Sequence, residues 1–285
     1  MPEVSEESLE HHDARRGSAP NQTHFVGDRL NVLLVTGGHP FAREALFEVF
    51  DANPDVNWSH VDHPAAQLMF TPRAARHFDC YVLYDMPGIE FRPGGAPKYH
   101  QPPRSYKQGL RALGDAGMPF VVLHHAAAAW PAWPEWSDFV GAQFLYSPGR
   151  SFGKSMPDSG YVLEVSHQIS PLGEHPITKG MEPFSLTDEL YLWQGPMEGV
   201  TPILSSDYDF EYQNFYSAAR ALEGHLFSRE GWTHPAGSNI VGWTKTYRRS
   251  PLVYLQFGDG PSAYADENFR KVLGRAIDWV STVRA

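Results

Sequence analysis

The sequence predicts an α/β protein with a mostly parallel central sheet, a three-layer sandwich. Two observations carry that prediction. Short, largely apolar runs recur along the first half: Val32-Leu33-Leu34-Val35, residues 79–85 with an aspartate at each end, and residues 120–123. A strand covered on both faces reads as such an unbroken run. Between these runs lie stretches with apolar residues at helical spacing. Strands alternating with helices imply right-handed βαβ units and a parallel sheet. The chain has 285 residues, 42% of them hydrophobic, enough for a substantial core.

Residues 1–28 are polar, rich in Glu, Ser and His, and without periodicity, so a flexible tail is expected there. Residues 29–285 are expected to form one domain. Its first strand runs from Leu30 and is broken by Thr36-Gly37-Gly38-His39-Pro40. A helix follows, with Phe41, Ala45, Leu46, Val49 and Phe50 on one face. Pro40 suits the first helical position, where a missing N–H costs nothing. Residues 56–61 read as a short alternating strand, 72–77 as a short helix, and 105–116 as a longer one. The second half is less regular. A helix with a proline-bearing entry is expected within 130–145. There Trp130, Trp133 and Trp136 recur at a spacing of three and could line one side. Strands at 161–165, 189–193, 201–204, 240–244 and 252–257 extend the sheet, some of them antiparallel. The final helix, 266–284, places Phe269, Val272, Leu273, Ala276, Ile277 and Val280 on one face.

Composition narrows the function. The formal net charge is −10, against the basic face that a nucleic-acid binder needs, so no nucleic-acid partner is expected. Cys80 is the only cysteine, which excludes an intramolecular disulfide and a thiolate zinc cage. No run approaches the ~20 apolar residues of a membrane span, and the N-terminus lacks the apolar stretch of a secretory signal. A cytoplasmic protein with no membrane partner is expected, and a homodimer is the common state for compact proteins of this kind.

A parallel sheet places ligand sites beyond the carboxyl ends of its strands. That rule marks Gly37 to His39, Asp85 to Gly88, and His124 to Trp130. Fourteen histidines and eight tryptophans make the last segment stand out. His124-His125 closes a buried strand. If the strand continued, the two rings would point to opposite faces, one into the pocket and one behind it. Trp130 offers a flat face for a sugar ring, although a single tryptophan is more often plain core. Gly37-Gly38-His39 leads into a helix, where free backbone N–H groups can hold an anion or a carbonyl oxygen. It lacks the spacing of dinucleotide or P-loop motifs. Asp188-Glu189 puts two carboxylates at a predicted strand start, and Asp259, between Gly258 and Gly260 with Tyr264 following, closes the last strand.

Five segments together resemble one family. They are VLLVTGGHPF (32–41), FDCYVLYDMPG (78–88), FVVLHHAAAAWPAWPEW (120–136), HPITKGMEPFSLTDELY (175–191) and VYLQFGDGPSAYADENFRKVLGRAIDWV (253–280). In order and spacing, from about residue 30 to 282, they are similar to the ThuA-like family, named for trehalose utilisation. The resemblance implies a flavodoxin-like fold of the class I glutamine amidotransferase type. It implies that the family's strand-end histidines are His124 and His125, its acidic pair Asp188 and Glu189, and its histidine–proline segment His175-Pro176. Relatives usually end the last strand with Gly-His, and this chain has Gly258-Asp259 instead. Amidotransferases of this fold carry a nucleophilic cysteine at a strand-end elbow. Here that region reads His124-His125-Ala126 and Cys80 lies inside a strand, so thiol chemistry is not expected.

The resemblance implies sugar catabolism. A ketone acidifies the neighbouring C–H, so a 3-keto sugar or glycoside would suit general acid–base proton abstraction leading to elimination, isomerisation or hydrolysis. The expected catalytic residues are His125, His124 and Glu189. Expected substrate contacts are His39, Gly38, Asp85, Trp130, Asp188, Asp259 and Tyr264. A divalent metal, zinc or manganese, would find candidate ligands in His124, His125 and Glu189. The contrasting expectations are a non-catalytic sugar-binding or regulatory module, and a chain that mainly assembles with a partner.

Overall fold

The computed structural model describes residues 27–92 and 95–283. The expected tail falls, for residues 1–26, outside the described residues. Strand β1 (Leu30–Gly37) lies between β2 (Val56–Asp62) and β3 (Cys80–Asp85), parallel to both. β6 (Phe120–Leu123) continues the parallel set beside β3, and β14 (Ser250–Leu255) runs parallel beside β6. The spatial order β2-β1-β3-β6-β14 is the flavodoxin-like order, and the fold is of the class I glutamine amidotransferase-like type.

β1 shows why the layers form. Val32 and Leu34 face one core together with α1 (Arg43–Asp51) and the final helix. Leu33 and Val35 face a second core on the other side of the sheet. That core is covered by α2 (Pro72–Ala75), α3 (Arg104–Asp115) and α4 (Pro134–Val140). Both faces are therefore apolar, which is why no alternation shows in the sequence.

The second half widens the same sheet with antiparallel strands. β9 (Gly160–Pro171), β10 (Phe184–Leu192), β11 (Thr201–Ser206) and β13 (Ile240–Tyr247) follow in the spatial order β10-β9-β11-β13 and join at β14. Every pairing beyond β14 is antiparallel. Three short elements stand aside: the hairpins β4 (Ile89–Arg92) with β5 (Gly95–Tyr99) and β7 (Gly149–Ser151) with β8 (Lys154–Met156), and β12 (Tyr216–Ser217) on β9. Helix α5 (Ala218–Leu222) and α6 (Pro261–Ala265) are single turns. α7 (Glu267–Thr282) buries the six predicted apolar residues. Asp266 caps it by accepting from the N–H groups of Asn268 and Phe269 at 2.8 and 2.9 Å.

Four expectations need correction. Pro40 is not the first residue of α1, which starts at Arg43. The three tryptophans do not share a helix face: Trp130 precedes the helix, Trp133 caps it, only Trp136 is inside it, and all three are buried. Asp188-Glu189 sits in the middle of β10, not at its start, because that strand begins at Phe184. The strand carrying His124-His125 does not continue. It stops at Leu123, and His124 adopts φ 44° at the head of a 3₁₀ turn, His124–Ala128. Period-two alternation therefore does not apply to the pair. Among the described residues no helix is long and apolar enough to cross a membrane.

Candidate active site

The carboxyl ends of β1, β6 and β14 bring His39, His124, His125 and Asp259 together, and β10 reaches across with Glu189. His124 is fully buried. Its Nδ1 donates to the Gln256 carbonyl at 2.5 Å, because a carbonyl oxygen can only accept. Its Nε2 faces Glu189 Oε2 at 2.9 Å, the Tyr191 hydroxyl at 2.7 Å and Asp259 Oδ1 at 3.3 Å. Tyr191 also stacks on the ring, centroids 4.6 Å apart. Burial alone would discharge His124. The adjacent Asp259 and Glu189 carboxylates outweigh it and hold the imidazole protonated well above its ordinary range.

His125 has the opposite surroundings. It is 2% exposed, and neither ring nitrogen has a partner within the protein. Its ring lies 4.2 Å from Tyr84 and 4.4 Å from His39, centroid to centroid. Burial first, and then His39 and His124, push it well below the usual histidine range, so it is neutral. The two rings, 5.5 Å apart and nearly perpendicular, thus form an imidazolium beside a free base.

Asp259 links the two. Its Oδ1 lies 3.3 Å from His124 Nε2, and its carboxylate is also within 4.8 Å of ring nitrogens of His39 and His125. Burial would raise its carboxyl, but the charged His124 above all holds it well below the usual range. The turn that carries it is fixed from behind. Asp188, 5% exposed, accepts from the N–H of Gly258 at 2.5 Å, of Asp259 at 3.1 Å and of Glu189 at 3.0 Å. Burial pushes the Asp188 carboxyl up to about 6. The hydroxyls of Tyr84 and Tyr264 meet at 2.6 Å, and both lie within hydrogen-bond distance of the Asp259 carbonyl oxygen. Asp188 and Tyr264, expected to touch substrate, are thus packed behind the cluster. Gly38 closes the β1 loop with φ +88°; a Cβ there would run into the Met86 carbonyl oxygen.

Asp85 and Trp130 are not brought to this cluster. Alternation along β3 sends Tyr84 toward His125 and Asp85 to the opposite face, where it pairs with His63. Trp130 packs there too, 5.4 Å from Tyr106. His175 lies against Trp279 on α7, and its Nδ1 accepts from the N–H of Ile177 at 3.2 Å. Cys80 is buried in β3, and burial pushes its thiol far above the usual range. Sequence reasoning missed Tyr191, Tyr84 and Gln256. Tyr191 had a signal: two residues after Glu189 on one strand, it shares that face.

A mostly parallel sheet of this order, with histidines and carboxylates converging at its strand ends, defines an α/β protein of the glutamine amidotransferase-like fold without the thiol nucleophile. The chain belongs to the ThuA family, described as trehalose utilisation, which matches residues 98–280. His39 precedes that stretch; His124, His125, Glu189 and Asp259 lie within it. A ThuA-like protein from Parabacteroides merdae shares 15% identity over 89% of this chain and 90% of its own, with a TM-score of 0.61. One from Bacteroides uniformis shares 15% identity over 92% of both, with a TM-score of 0.58. Agd3, a carbohydrate deacetylase, matches 90% of this chain and 33% of its own at 11% identity, with a TM-score of 0.50. These likenesses show the fold. No curated protein matches the chain in sequence.

Proposed function

We propose that this protein is an enzyme of sugar catabolism that removes a proton beside the ketone of an oxidised sugar, a 3-keto sugar or glycoside. The observation that carries this reading is the adjacent pair of buried histidines in opposite surroundings, His124 against the Glu189 and Asp259 carboxylates and His125 without a hydrogen-bond partner. Two titratable groups pushed apart by their surroundings divide the acid and base roles. His125, neutral and with unpartnered ring nitrogens, takes the proton from the carbon next to the ketone. Protonated His124 stabilises the negative charge that develops on the ketone oxygen. Glu189 and Asp259 keep His124 charged and form the solvent-facing side, with side chains 13% and 31% exposed. His39 orients the substrate over His125. Elimination, isomerisation or hydrolysis follows from the enolate.

The test is proton exchange. A 3-keto glucoside is incubated with the protein in D2O and followed by NMR. Deuterium is expected at the carbon beside the ketone, and the exchange is lost in His125→Gln. A protein that binds the sugar without any exchange is a sugar-binding module instead, and the catalytic reading fails.

A second reading adds zinc or manganese. The candidate trio His124, His125 and Glu189 is divided between two sets that share Asp259: His39-His125-Asp259 and His124-Glu189-Asp259, each with ligand atoms within 4.8 Å of one another. The first set fits best, because His125 has two free nitrogens and the His39 Nδ1 is also buried without a partner. A bound cation there would polarise the ketone, and Glu189 would become the proton acceptor. Dialysis against chelator followed by elemental analysis separates the readings; full exchange activity in metal-free protein rules the cation out.

A further inference from the structure

Tyr191 is the root of two lines of aromatic rings that lead outward from the candidate active site. Its own ring stacks on His124. On one side it meets Phe144 at 4.9 Å, Phe144 meets Tyr146 at 4.9 Å, and Tyr146 meets Phe91 at 5.5 Å, centroid to centroid. Phe91 stands on the β4–β5 hairpin and is 43% exposed. On the other side Tyr191 lies directly opposite Tyr161 of β9. Residues so paired share a face of the sheet, with Cβ atoms about 4.5–5.5 Å apart. Tyr161 meets Phe227 at 6.5 Å, and Tyr216 joins both, 6.1 Å from Tyr161 and 5.5 Å from Phe227. Phe227 is 54% exposed. β5 packs against α5, which precedes Phe227, so the two outer ends belong to neighbouring segments.

Apolar side chains scattered singly over a surface are ordinary. Here two exposed phenylalanines end continuous lines of packed rings that begin on His124. The tyrosines along the way stand near Glu189: after burial, its charge is what raises the hydroxyls of Tyr146 and Tyr161. Both hydroxyls are engaged within the protein. The Tyr146 O–H donates to the Met86 sulfur at 3.3 Å, and the Tyr161 oxygen accepts from the Phe227 N–H at 3.1 Å. Phe227 has φ 58°, in the left-handed region that bulky residues seldom adopt and that gathers at functional positions. The outer ends of both lines therefore present ring surface without a hydrogen-bonding atom. A second sugar would bring hydroxyls that phenylalanine cannot satisfy, whereas an aryl group brings none. An anionic substituent would meet the Glu189 and Asp259 carboxylates, whose like charge rejects it.

We propose that Phe91, Tyr146, Tyr161 and Phe227 form an aglycone subsite, and that the substrate is a keto-glycoside with a neutral aromatic aglycone rather than a free keto sugar. This inference rests on the keto-sugar reading of the inner site. The sugar ring lies at His124 and His125, and its aryl substituent lies along the outer rings, offset-stacked or edge to face.

Isothermal titration calorimetry on the full chain tests it with phenyl and methyl 3-keto-β-D-glucosides, which share the sugar and differ in the ring. Wild type is expected to bind the phenyl glycoside about 10-fold more tightly or better. Phe91→Ala and Phe227→Ala should each lower that preference about 2–10-fold, the worth of one aromatic pair, and leave the methyl glycoside unchanged. Both side chains are largely exposed, so melting temperatures should stay within a few degrees of wild type. Equal affinity for the two glycosides in wild type, or variants that weaken both alike, overturns the subsite while proton exchange stands. A 3-keto disaccharide bound more tightly than the phenyl glycoside overturns it as well and makes the rings a sugar platform. Preference for the phenyl glycoside without deuterium exchange supports the subsite and removes the catalytic reading instead. No binding of either glycoside overturns both.

Discussion

Replacing Asp188 with asparagine probes the electrostatics that hold the Asp259 turn. Burial is the main force on this carboxyl, and it outweighs the pull of His124 and of the Gly258 N–H, raising the group from 3.8 to about 6. A gap of that size corresponds to roughly 3 kcal/mol. The native state binds the proton more tightly than the unfolded chain. Its contribution is therefore full below about pH 4 and is lost as pH rises through about 6. At neutral pH the buried anion is a burden. Asparagine keeps an oxygen for one backbone N–H and carries no charge. Urea unfolding of metal-free protein at about pH 4 and pH 7.5 reads the difference. Relative to wild type, Asp188→Asn should gain about 2–3 kcal/mol between the two conditions. Parallel stability profiles for the two proteins would refute the reasoning. The same variant loosens the turn under Asp259, so exchange activity should fall even where stability rises.

Three further outcomes are expected. His125→Gln should keep the melting temperature within a few degrees yet lower proton exchange by about 10²–10⁴-fold, the usual contribution of a positioned general base; a smaller loss assigns the base elsewhere. Gly38→Ala should destabilise by about 2 kcal/mol or more, because the residue has φ +88° and its Cβ would meet the Met86 carbonyl oxygen, and thermal unfolding will show whether it does. Cys80, buried in β3 with its thiol pushed up by burial, should resist an aromatic disulfide reagent in native protein and react fully in urea. Rapid native labelling would contradict that placement.

Much of this architecture was legible in the chain because two-sided burial writes itself as apolar runs. Val32 to Val35, Tyr81 to Tyr84 and Phe120 to Leu123 each supply both cores at once. Strand direction in the second half was not legible, since direction is set by the path of the connecting loops. The start of β10 was also missed, although Phe184 and Leu186 alternate with polar residues as a half-buried strand does. His124, His125, Glu189, Asp259 and His39 were singled out from the sequence, and the fold places them in one cluster. What the sequence hid was partnership. Tyr191 reaches His124 from β10 at the far edge of the sheet and Gln256 from just beyond the neighbouring β14, and nothing local to residue 124 names them. Asp85 and Trp130 were drawn into the same pocket by the strand-end rule, which marks an edge of the sheet but not which face a side chain takes.

The meeting of Tyr84 with Tyr264 spans 180 residues of chain. Closing so long a loop is paid for only after the intervening strands are in place. On the ribosome, the segments bearing His39, His124 and His125 emerge first, while the carboxylate that charges His124 arrives near the end of synthesis. Until then the buried imidazole has only Glu189 to oppose it, and the acid half of the pair is incomplete. Completion of this cluster is therefore a property of the finished polypeptide, because β14, which extends the parallel set, and α7, which covers one of its faces, are among the last segments made.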